Sequence, residues 1–154
     1  MPTNRRITSW GIGLKFAAAF LVTLAILSIV NRVFIPALLL PFNTYVFSCG
    51  IALIVLGVAV CFKAAVQVHQ AFNQGKLATP GIYAHVRNPV YAVWILLIAP
   101  GLILATGFLL LIALPFVMYA LVRVLIVEED EHLAEKFGED YLEYKKRVNS
   151  IIPT

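Results

Sequence analysis

Between Pro89 and Val127 the sequence is apolar for 39 residues and contains one charged side chain, Arg123. A helix that crosses the hydrocarbon core of a bilayer needs about 20 apolar residues. This stretch is therefore too long for one crossing and long enough for two. Thr106-Gly107 lies near its middle and is the best candidate for a tight turn. The stretch predicts a hairpin of two membrane-spanning helices.

The composition of the whole chain also indicates a membrane protein. Hydrophobic residues make up 61% of the sequence and charged residues 13%, whereas soluble domains contain about 45–50% and 25%. The net charge of +4 does not indicate a nucleic-acid partner. The basic residues cluster at the ends of apolar runs, as in the cytoplasmic loops of membrane proteins, and form no binding stripe.

The predicted fold is an all-α integral membrane protein with four transmembrane helices and an amphipathic, cytoplasmic C-terminal helical segment. Its parts form one domain: two scaffold spans in residues 1–65 (Trp10–Val30 and Thr44–Ala65), a polar loop at 66–88, the hairpin at 89–127 and the C-terminal segment at 128–154. Gly138 is expected to split the C-terminal segment into two helices. Pro100 and Pro115 predict kinks in the hairpin, although prolines are common in membrane helices generally.

The distribution of basic residues predicts the orientation in the membrane. They form three groups, which lie on one side if there are four spans: Arg5, Arg6 and Lys15; Lys63, Lys76 and Arg87; Lys136, Lys145, Lys146 and Arg147. The two short connections on the other side contain a single basic residue, Arg32. Because basic residues favour the cytoplasmic side, both termini and the polar loop are expected to be cytoplasmic.

Two polar segments contain the candidate functional residues. The first covers residues 79–91, and the second, Glu128–His132, begins where the last apolar run ends. Taken singly, their residues have ordinary explanations, because acidic side chains favour a helix start and Arg87, Tyr83 and Tyr91 are typical interface anchors. Together, one arginine, aromatic rings and carboxylates beside a hydrophobic interior suit a charged, partly aromatic small molecule.

No metal site is expected, because the histidines lack ligand spacing with cysteines or carboxylates. They are His69, His85 and His132.

Four blocks of the C-terminal half carry a family resemblance. They are Lys76-Leu77-Ala78-Thr79-x-Gly81-x-Tyr83, Arg87-Asn88-Pro89-x-Tyr91, Glu128-Glu129, and Phe137 to Val148 with Pro153 near the end. In order, spacing and the apolar hairpin between them, these blocks resemble the isoprenylcysteine carboxyl methyltransferase family and its relatives, which include the phospholipid N-methyltransferases. The first two spans match only as generic helices.

The resemblance implies a methyl donor, S-adenosylmethionine, bound at the cytoplasmic face between the hairpin, the polar loop and the C-terminal helix. By position, the residues implied to bind it are Gly75, Lys76, Leu77, Ala78, Tyr83, Asn88, Pro89, Val90, Tyr91 and Glu129. The first four would line the adenosine through backbone groups, and Glu129 would use its carboxylate. The implied partners are a lipophilic small molecule or lipid that accepts the methyl group, and the bilayer lipids.

Two positions depart from the family pattern. Asn88 stands where the family has the histidine of Arg-His-Pro, and its amide can still donate and accept hydrogen bonds. Leu125 stands where the family places an arginine against the substrate carboxylate. Arg123 is the nearest replacement, although two positions along a helix rotate the side-chain direction by about 200°. Arg87 and Arg123 are the candidate catalytic residues, and a headgroup anchor is the alternative role for Arg123.

The sequence leaves three functions to compare. The first is transfer of a methyl group to a lipophilic acceptor, of the carboxylate O-methylation type. The second is N-methylation of an amino-headgroup lipid, which needs no arginine for a carboxylate. The third is a membrane scaffold or complex subunit without catalysis. Binding of the donor separates the third function from the other two.

Overall fold

The computed structural model describes residues 9–153, with side chains from Gly13 onward. Five helices follow one another in this part of the chain: α1 (Ser9–Phe34), α2 (Thr44–Asn73), α3 (Pro89–Thr106), α4 (Ala113–Phe137) and α5 (Glu139–Arg147). Short 3-10 turns at Gly81–Ala84 and Leu109–Ile112 precede α3 and α4. The predicted roles of Arg5 and Arg6 fall outside the described residues.

The four-span prediction is confirmed. In the described part of the chain, four helices are long and apolar enough to cross a membrane, and they correspond to α1 to α4. The hairpin turn also lies where the sequence places it, because α3 ends at Thr106 and Gly107 follows with φ +72°. This left-handed backbone conformation is readily available only to glycine. The protein is therefore an all-helical integral membrane protein.

Three helices are longer than predicted. α1 continues to Phe34, and α2 continues to Asn73, so the prediction of a loop beginning at residue 66 is wrong as far as Asn73. The polar side chains there exclude lipid but do not exclude a helix. Val68 and Ala71 pack against a small cluster that contains Ala78, and this packing supports the helical continuation of α2. The polar segment after residue 127 likewise continues α4 without a break up to Phe137, where Gly138 ends the helix.

Pro100 and Pro115 of the hairpin differ in their effect. Pro100 lacks a backbone N–H, and the residues just before it, Trp94–Ile98, form a turn of π-helix inside α3. This local widening agrees with the predicted distortion, because π-turns accommodate breaks in the hydrogen-bond ladder. Pro115 lies in the first turn of α4, where backbone N–H groups have no helical partner. The absent donor therefore has no consequence there, and a kink is not required.

Close approach of α2 and α3 depends on small residues. Gly50 and Gly101 face each other, and a Cβ placed on Gly50 would lie 2.6 Å from the backbone nitrogen of Ala105 and 2.7 Å from the carbonyl oxygen of Gly101. Close contacts of this kind hold helices together in lipid. The hydrophobic effect contributes little there, because the lipid tails are as apolar as the side chains. α1 packs mainly against α4, so the bundle has α1 and α4 on one side and α2 and α3 on the other.

A buried asparagine joins the end of the bundle opposite the polar segments. The Asn31 side chain is fully buried, and its amide nitrogen donates to the carbonyl of Leu38 at 3.1 Å. Its oxygen accepts from the Leu110 N–H at 3.0 Å. The N–H of Leu40 donates to the Gly107 carbonyl at 2.8 Å in the same region. These bonds connect the α1–α2 connection to the hairpin turn and satisfy backbone groups that lipid cannot.

We expect Gly50→Ala to destabilise the protein, because the added methyl group meets the backbone of α3 and overpacking of this kind costs about 1–3 kcal/mol. Gly13→Ala is the matched control, since a Cβ there has no atom within 4 Å. Thermal unfolding in mild detergent should show a lower midpoint for Gly50→Ala and an unchanged or higher one for Gly13→Ala. Equal midpoints for Gly50→Ala and wild type would contradict the close approach of α2 and α3.

Candidate active site

A cavity of about 950 Å³ lies at the end of the bundle that contains both polar segments. Its wall includes Gly13 and Leu14 of α1, the last turns of α2, the chain from Leu77 to Tyr91, and residues of α4 and α5. The cavity therefore lies at the meeting point of all five helices. Its size is at the upper end of the range for small-molecule sites, about 300–1,000 Å³.

Most of the predicted site residues line this cavity. They are Leu77, Ala78, Tyr83, Arg87, Asn88, Pro89, Val90, Tyr91 and Glu129. Gly75 and Lys76 do not line it; they are exposed in the turn between α2 and Leu77. Arg123 is exposed on the outer face of α4, away from the cavity, while Leu125 packs against the apolar core. The two candidate catalytic arginines are thus not brought together.

Asp130 holds the centre of a buried polar network beside the cavity. Arg87 Nη1 donates to Asp130 Oδ1 at 3.1 Å and to the Tyr141 hydroxyl oxygen at 3.0 Å. The Tyr141 hydroxyl donates to the same carboxylate oxygen, and Lys145 Nζ lies 2.7 Å from Asp130 Oδ2. The side chains of Arg87 and Asp130 are only 9% and 10% exposed. The network connects the polar loop, α4 and α5.

Asp130, Tyr141 and Lys145 were not among the predicted site residues. A signal for Asp130 was present in the sequence, because the buried positions of α4 repeat every four residues. They are Leu114, Met118, Val122, Ile126 and Asp130. An acidic residue that continues an apolar buried stripe needs a partner, and Arg87 is the charged residue that precedes α3 at the same end of the bundle. Lys145 and Tyr141 gave no comparable signal.

Glu129 lines the cavity, whereas its neighbour Asp130 does not. The Glu129 carboxylate lies beside the Tyr91 side chain. Its second oxygen, Oε2, is buried without a partner among the described residues, and so is Nε of Arg87. Buried polar atoms without a partner are rare in proteins, so each of these two atoms calls for a partner such as a ligand or a water molecule. Glu129 Oε2 is a hydrogen-bond acceptor without a donor, and Arg87 Nε is a donor without an acceptor.

Tyr83 of the 3-10 turn and Tyr144 of α5 both line the cavity. The Tyr144 hydroxyl donates to the carbonyl of Tyr83 at 2.6 Å, and the Tyr83 hydroxyl donates to the carbonyl of Ala64 at 3.3 Å. Burial raises the pKa of Tyr144 to about 12 and also raises the pKa of Tyr83. Both hydroxyls therefore stay neutral and keep donating at physiological pH. They hold α5 against the 3-10 turn and α2.

The chain after α5 also folds back onto the site. The backbone N–H of Arg87 donates to the carbonyl of Asn149 at 2.9 Å, and the N–H of Asn88 donates to the carbonyl of Ser150 at 3.0 Å. Ile151 is buried in the same apolar core as Tyr91. Asn88 immediately precedes Pro89, the first residue of α3, and its side chain makes no capping bond. The residues after α5 thus hold the start of α3 in place beside the cavity, and α5 itself covers the cavity with Tyr141 and Tyr144.

The arrangement suits a ligand that carries both charges and an aromatic group. The cavity wall contains the carboxylate residue Glu129 and the guanidinium residue Arg87, and tyrosine rings and apolar side chains such as Phe72 and Leu77 supply the rest. Charge-assisted hydrogen bonds in a buried site are stronger than neutral ones. The cavity can therefore bind a small zwitterion with a large apolar or aromatic part.

Comparison with known proteins gives consistent matches. The family model described as phospholipid methyltransferase matches residues 42–140. Protein-S-isoprenylcysteine O-methyltransferase of Schizosaccharomyces pombe is 27% identical over 135 residues, which are 81% of this chain and 57% of the relative. Methanethiol S-methyltransferase 1 of Bradyrhizobium diazoefficiens is 34% identical over 94 residues, or 56% of this chain and 32% of the relative.

A plant protein matches over most of its length. Protein-S-isoprenylcysteine O-methyltransferase B of Arabidopsis thaliana is 25% identical over 156 residues, which cover 96% of this chain and 78% of the relative. The chain spans little more than half of the S. pombe relative and about a third of the B. diazoefficiens one. The family match covers more than half of the chain and includes both polar segments. The chain belongs to the phospholipid methyltransferase family, whose relatives include the isoprenylcysteine O-methyltransferases that its sequence resembles.

Proposed function

We propose that the protein is an integral-membrane methyltransferase that transfers a methyl group from S-adenosylmethionine to a lipophilic acceptor. The observation that carries the proposal is that two residues of the cavity wall, Glu129 and Arg87, each have a buried polar atom without a partner, Oε2 and Nε respectively. The amino-acid end of the donor has an ammonium group and a carboxylate. Glu129 would accept from the ammonium, and Arg87 would donate to the carboxylate.

The rest of the cavity wall also fits this donor. Leu77 and Ala78 line the cavity, and their backbone groups and apolar side chains would suit the ribose and adenine. Tyrosine faces attract a cation by about 0.5–2 kcal/mol, depending on how completely it is desolvated. When bound, the donor supplies a methyl group on a positively charged sulfur that is already activated for displacement. The residues of this chain therefore need only bind, orient and exclude water.

Arg87 has a positioning role in this proposal besides its contact with the donor. Its Nη1 atom is engaged with Asp130 and Tyr141, so the guanidinium fixes α4 and α5 relative to the polar loop. Arg123 has no such role, because it is exposed on the outer face of α4. Snorkelling of its guanidinium toward the headgroups accounts for its position.

The acceptor would reach the cavity from the bilayer. Leu14 of α1 and Val66 of α2 both line the cavity and are 72% and 38% exposed. The two helices pack mainly against different partners, α1 against α4 and α2 against α3. The wall of the cavity therefore reaches lipid between α1 and α2, which suits an acceptor with an apolar tail.

The charges in the cavity favour a thiol over a carboxylate as the acceptor group. A carboxylate would need its own cation, but among the described side chains Arg87 is the one arginine or lysine that lines the cavity, and it is paired with Asp130. A relative of this chain acts on methanethiol.

In the thiol reaction the acceptor sulfur would form a bond to the methyl carbon as the bond between that carbon and the sulfonium sulfur breaks. The thiol proton would pass to an imidazole. His69 and His132 both line the cavity and can take that proton.

The orientation that we propose puts the cavity and both termini on the cytoplasmic side. Basic residues are concentrated at the cavity end of the bundle, including Lys63, Lys136 and Lys145, while Arg32 is at the opposite end. This asymmetry is the usual one for cytoplasmic segments. It also places the donor site where a water-soluble metabolite can reach it.

We expect Glu129→Gln to weaken binding of S-adenosylhomocysteine, the product form of the donor, by about 10- to 100-fold, because a hydrogen bond to a charged partner contributes about 1.5–3 kcal/mol. Glu131→Gln is the matched control, since Glu131 is exposed two positions away and does not line the cavity. Calorimetric titration in mild detergent would measure both. No saturable binding by folded wild-type protein would favour the non-catalytic scaffold function.

We expect Arg87→Ala to lower the thermal unfolding midpoint as well as donor affinity, because breaking a buried ion pair costs about 3 kcal/mol or more. Arg123→Ala should change neither quantity nor turnover, because this side chain contacts neither the network nor the cavity. Unfolding in detergent and titration with S-adenosylhomocysteine provide the two readouts. A loss of turnover in Arg123→Ala with normal donor binding would restore Arg123 as a catalytic residue.

Matched acceptors can separate the possible reactions. Decanethiol, decanoate and decylamine have the same apolar tail and differ in the group that receives the methyl. With radiolabelled donor and protein in lipid nanodiscs, we expect decanethiol to be methylated at least tenfold faster than decanoate, because the cavity has no spare arginine or lysine for a carboxylate. Faster reaction of decanoate would support the carboxylate type, and faster reaction of decylamine would support N-methylation.

A further inference from the structure

A second cavity of about 630 Å³ lies on a neighbouring face of α2. Val66 lines both cavities, so one helix separates the two sites. The second cavity opens toward lipid, because Phe62 and Val66 on its edge are 71% and 38% exposed. Its wall contains Lys63, which carries a positive charge, and His85, which can gain one by protonation. Neither residue lines the donor cavity.

The position of Lys63 along α2 places this cavity at the level of the lipid headgroups. α2 begins at Thr44 and has no charged residue before Lys63. The rise of about 1.5 Å per residue puts Lys63 about 28 Å along the helix axis from Thr44. This distance is close to the thickness of the hydrocarbon core, about 30 Å. Phe62 and Val66 therefore face acyl chains near the headgroups, and Lys63 reaches the phosphate layer.

The wall of the second cavity is fixed by contacts between α2 and the 3-10 turn. The Ile82 N–H donates to Gln67 Oε1 at 3.4 Å. Gly81 has φ +66°, and a Cβ placed on it would lie 2.2 Å from Nε2 of Gln67. Glycine is therefore required at this position both for its backbone conformation and for the space that Gln67 occupies. The cavity is formed by two elements that are held together, and not by a gap between mobile segments.

We propose that the second cavity binds one anionic phospholipid of the cytoplasmic leaflet, where the choice of leaflet rests on the orientation proposed above. Its phosphate lies against Lys63 and His85, and an acyl chain lies against Phe62 and Val66. This arrangement matches a negative headgroup to a basic residue at headgroup depth, and an apolar tail to side chains that face lipid. The site lies on a different face of α2 from the donor and acceptor sites and shares only Val66 with their cavity.

Native mass spectrometry of the protein in detergent, with equal amounts of phosphatidylglycerol and phosphatidylcholine, can test the proposal. We expect the wild type to retain one phosphatidylglycerol in preference to phosphatidylcholine. Lys63→Ala should lose about fivefold in that preference, since one lysine near an anionic membrane contributes about that much. Lys146→Ala is the control, because Lys146 is exposed and lines neither cavity. It should behave like the wild type.

Three outcomes would overturn the proposal. They are equal retention of the two lipids by the wild type, a Lys63→Ala variant that retains phosphatidylglycerol as the wild type does, and an equal loss in Lys146→Ala. Appearance of a dimer that excludes lipid and depends on Lys63 would instead show that a second copy of the chain occupies this face. The measurement uses no methyl donor, so its failure and the failure of the proposed enzymatic function are distinguishable.

Discussion

The buried carboxylate of Asp130 is the constraint on which the site depends. A charge at the end of a membrane-spanning helix is stable only when it is fully paired, because desolvation of an unpaired ion costs several kcal/mol. Asp130 has three partners from two other segments: Arg87 of the polar loop, and Tyr141 and Lys145 of α5. Satisfying one carboxylate therefore fixes the loop and α5 against α4, and these elements line the cavity.

At the opposite end of the bundle, buried polar groups are paired by a neutral side chain, that of Asn31. Asn31 accepts from one backbone group and donates to another, so that the α1–α2 connection and the hairpin turn satisfy each other. Between these two polar ends, the helices gain little from the hydrophobic effect, because lipid is as apolar as their side chains. Close contact at Gly50 and Gly101 supplies packing instead. Hydrogen bonds therefore hold the helices together at the two ends of the bundle, and small residues allow α2 and α3 to pack closely between the ends.

The sequence predicted the parts of the structure that depend on hydrophobicity and on local turns. Four spans and the turn at Gly107 are confirmed because lipid exposure and a left-handed glycine leave direct marks in the sequence. The extension of α2 to Asn73 was missed, because polar residues in a helix outside the membrane look like a loop. The displacement of Gly75, Lys76 and Arg123 from the cavity depends on tertiary packing, which residue order does not reveal.

The same network that shapes the cavity also bears on its chemistry. Asp130 pairs with Arg87 at Nη1, whereas Nε of the same guanidinium and Oε2 of Glu129 are buried without a partner among the described residues. These two atoms can receive the two charges of an amino-acid group, and nothing comparable among the described side chains is left for an acceptor carboxylate. An acceptor that loses a proton to a histidine and carries no charge before the reaction avoids this shortage. The pairing that stabilises the fold thus supports the proposal of a cationic donor together with a neutral nucleophile.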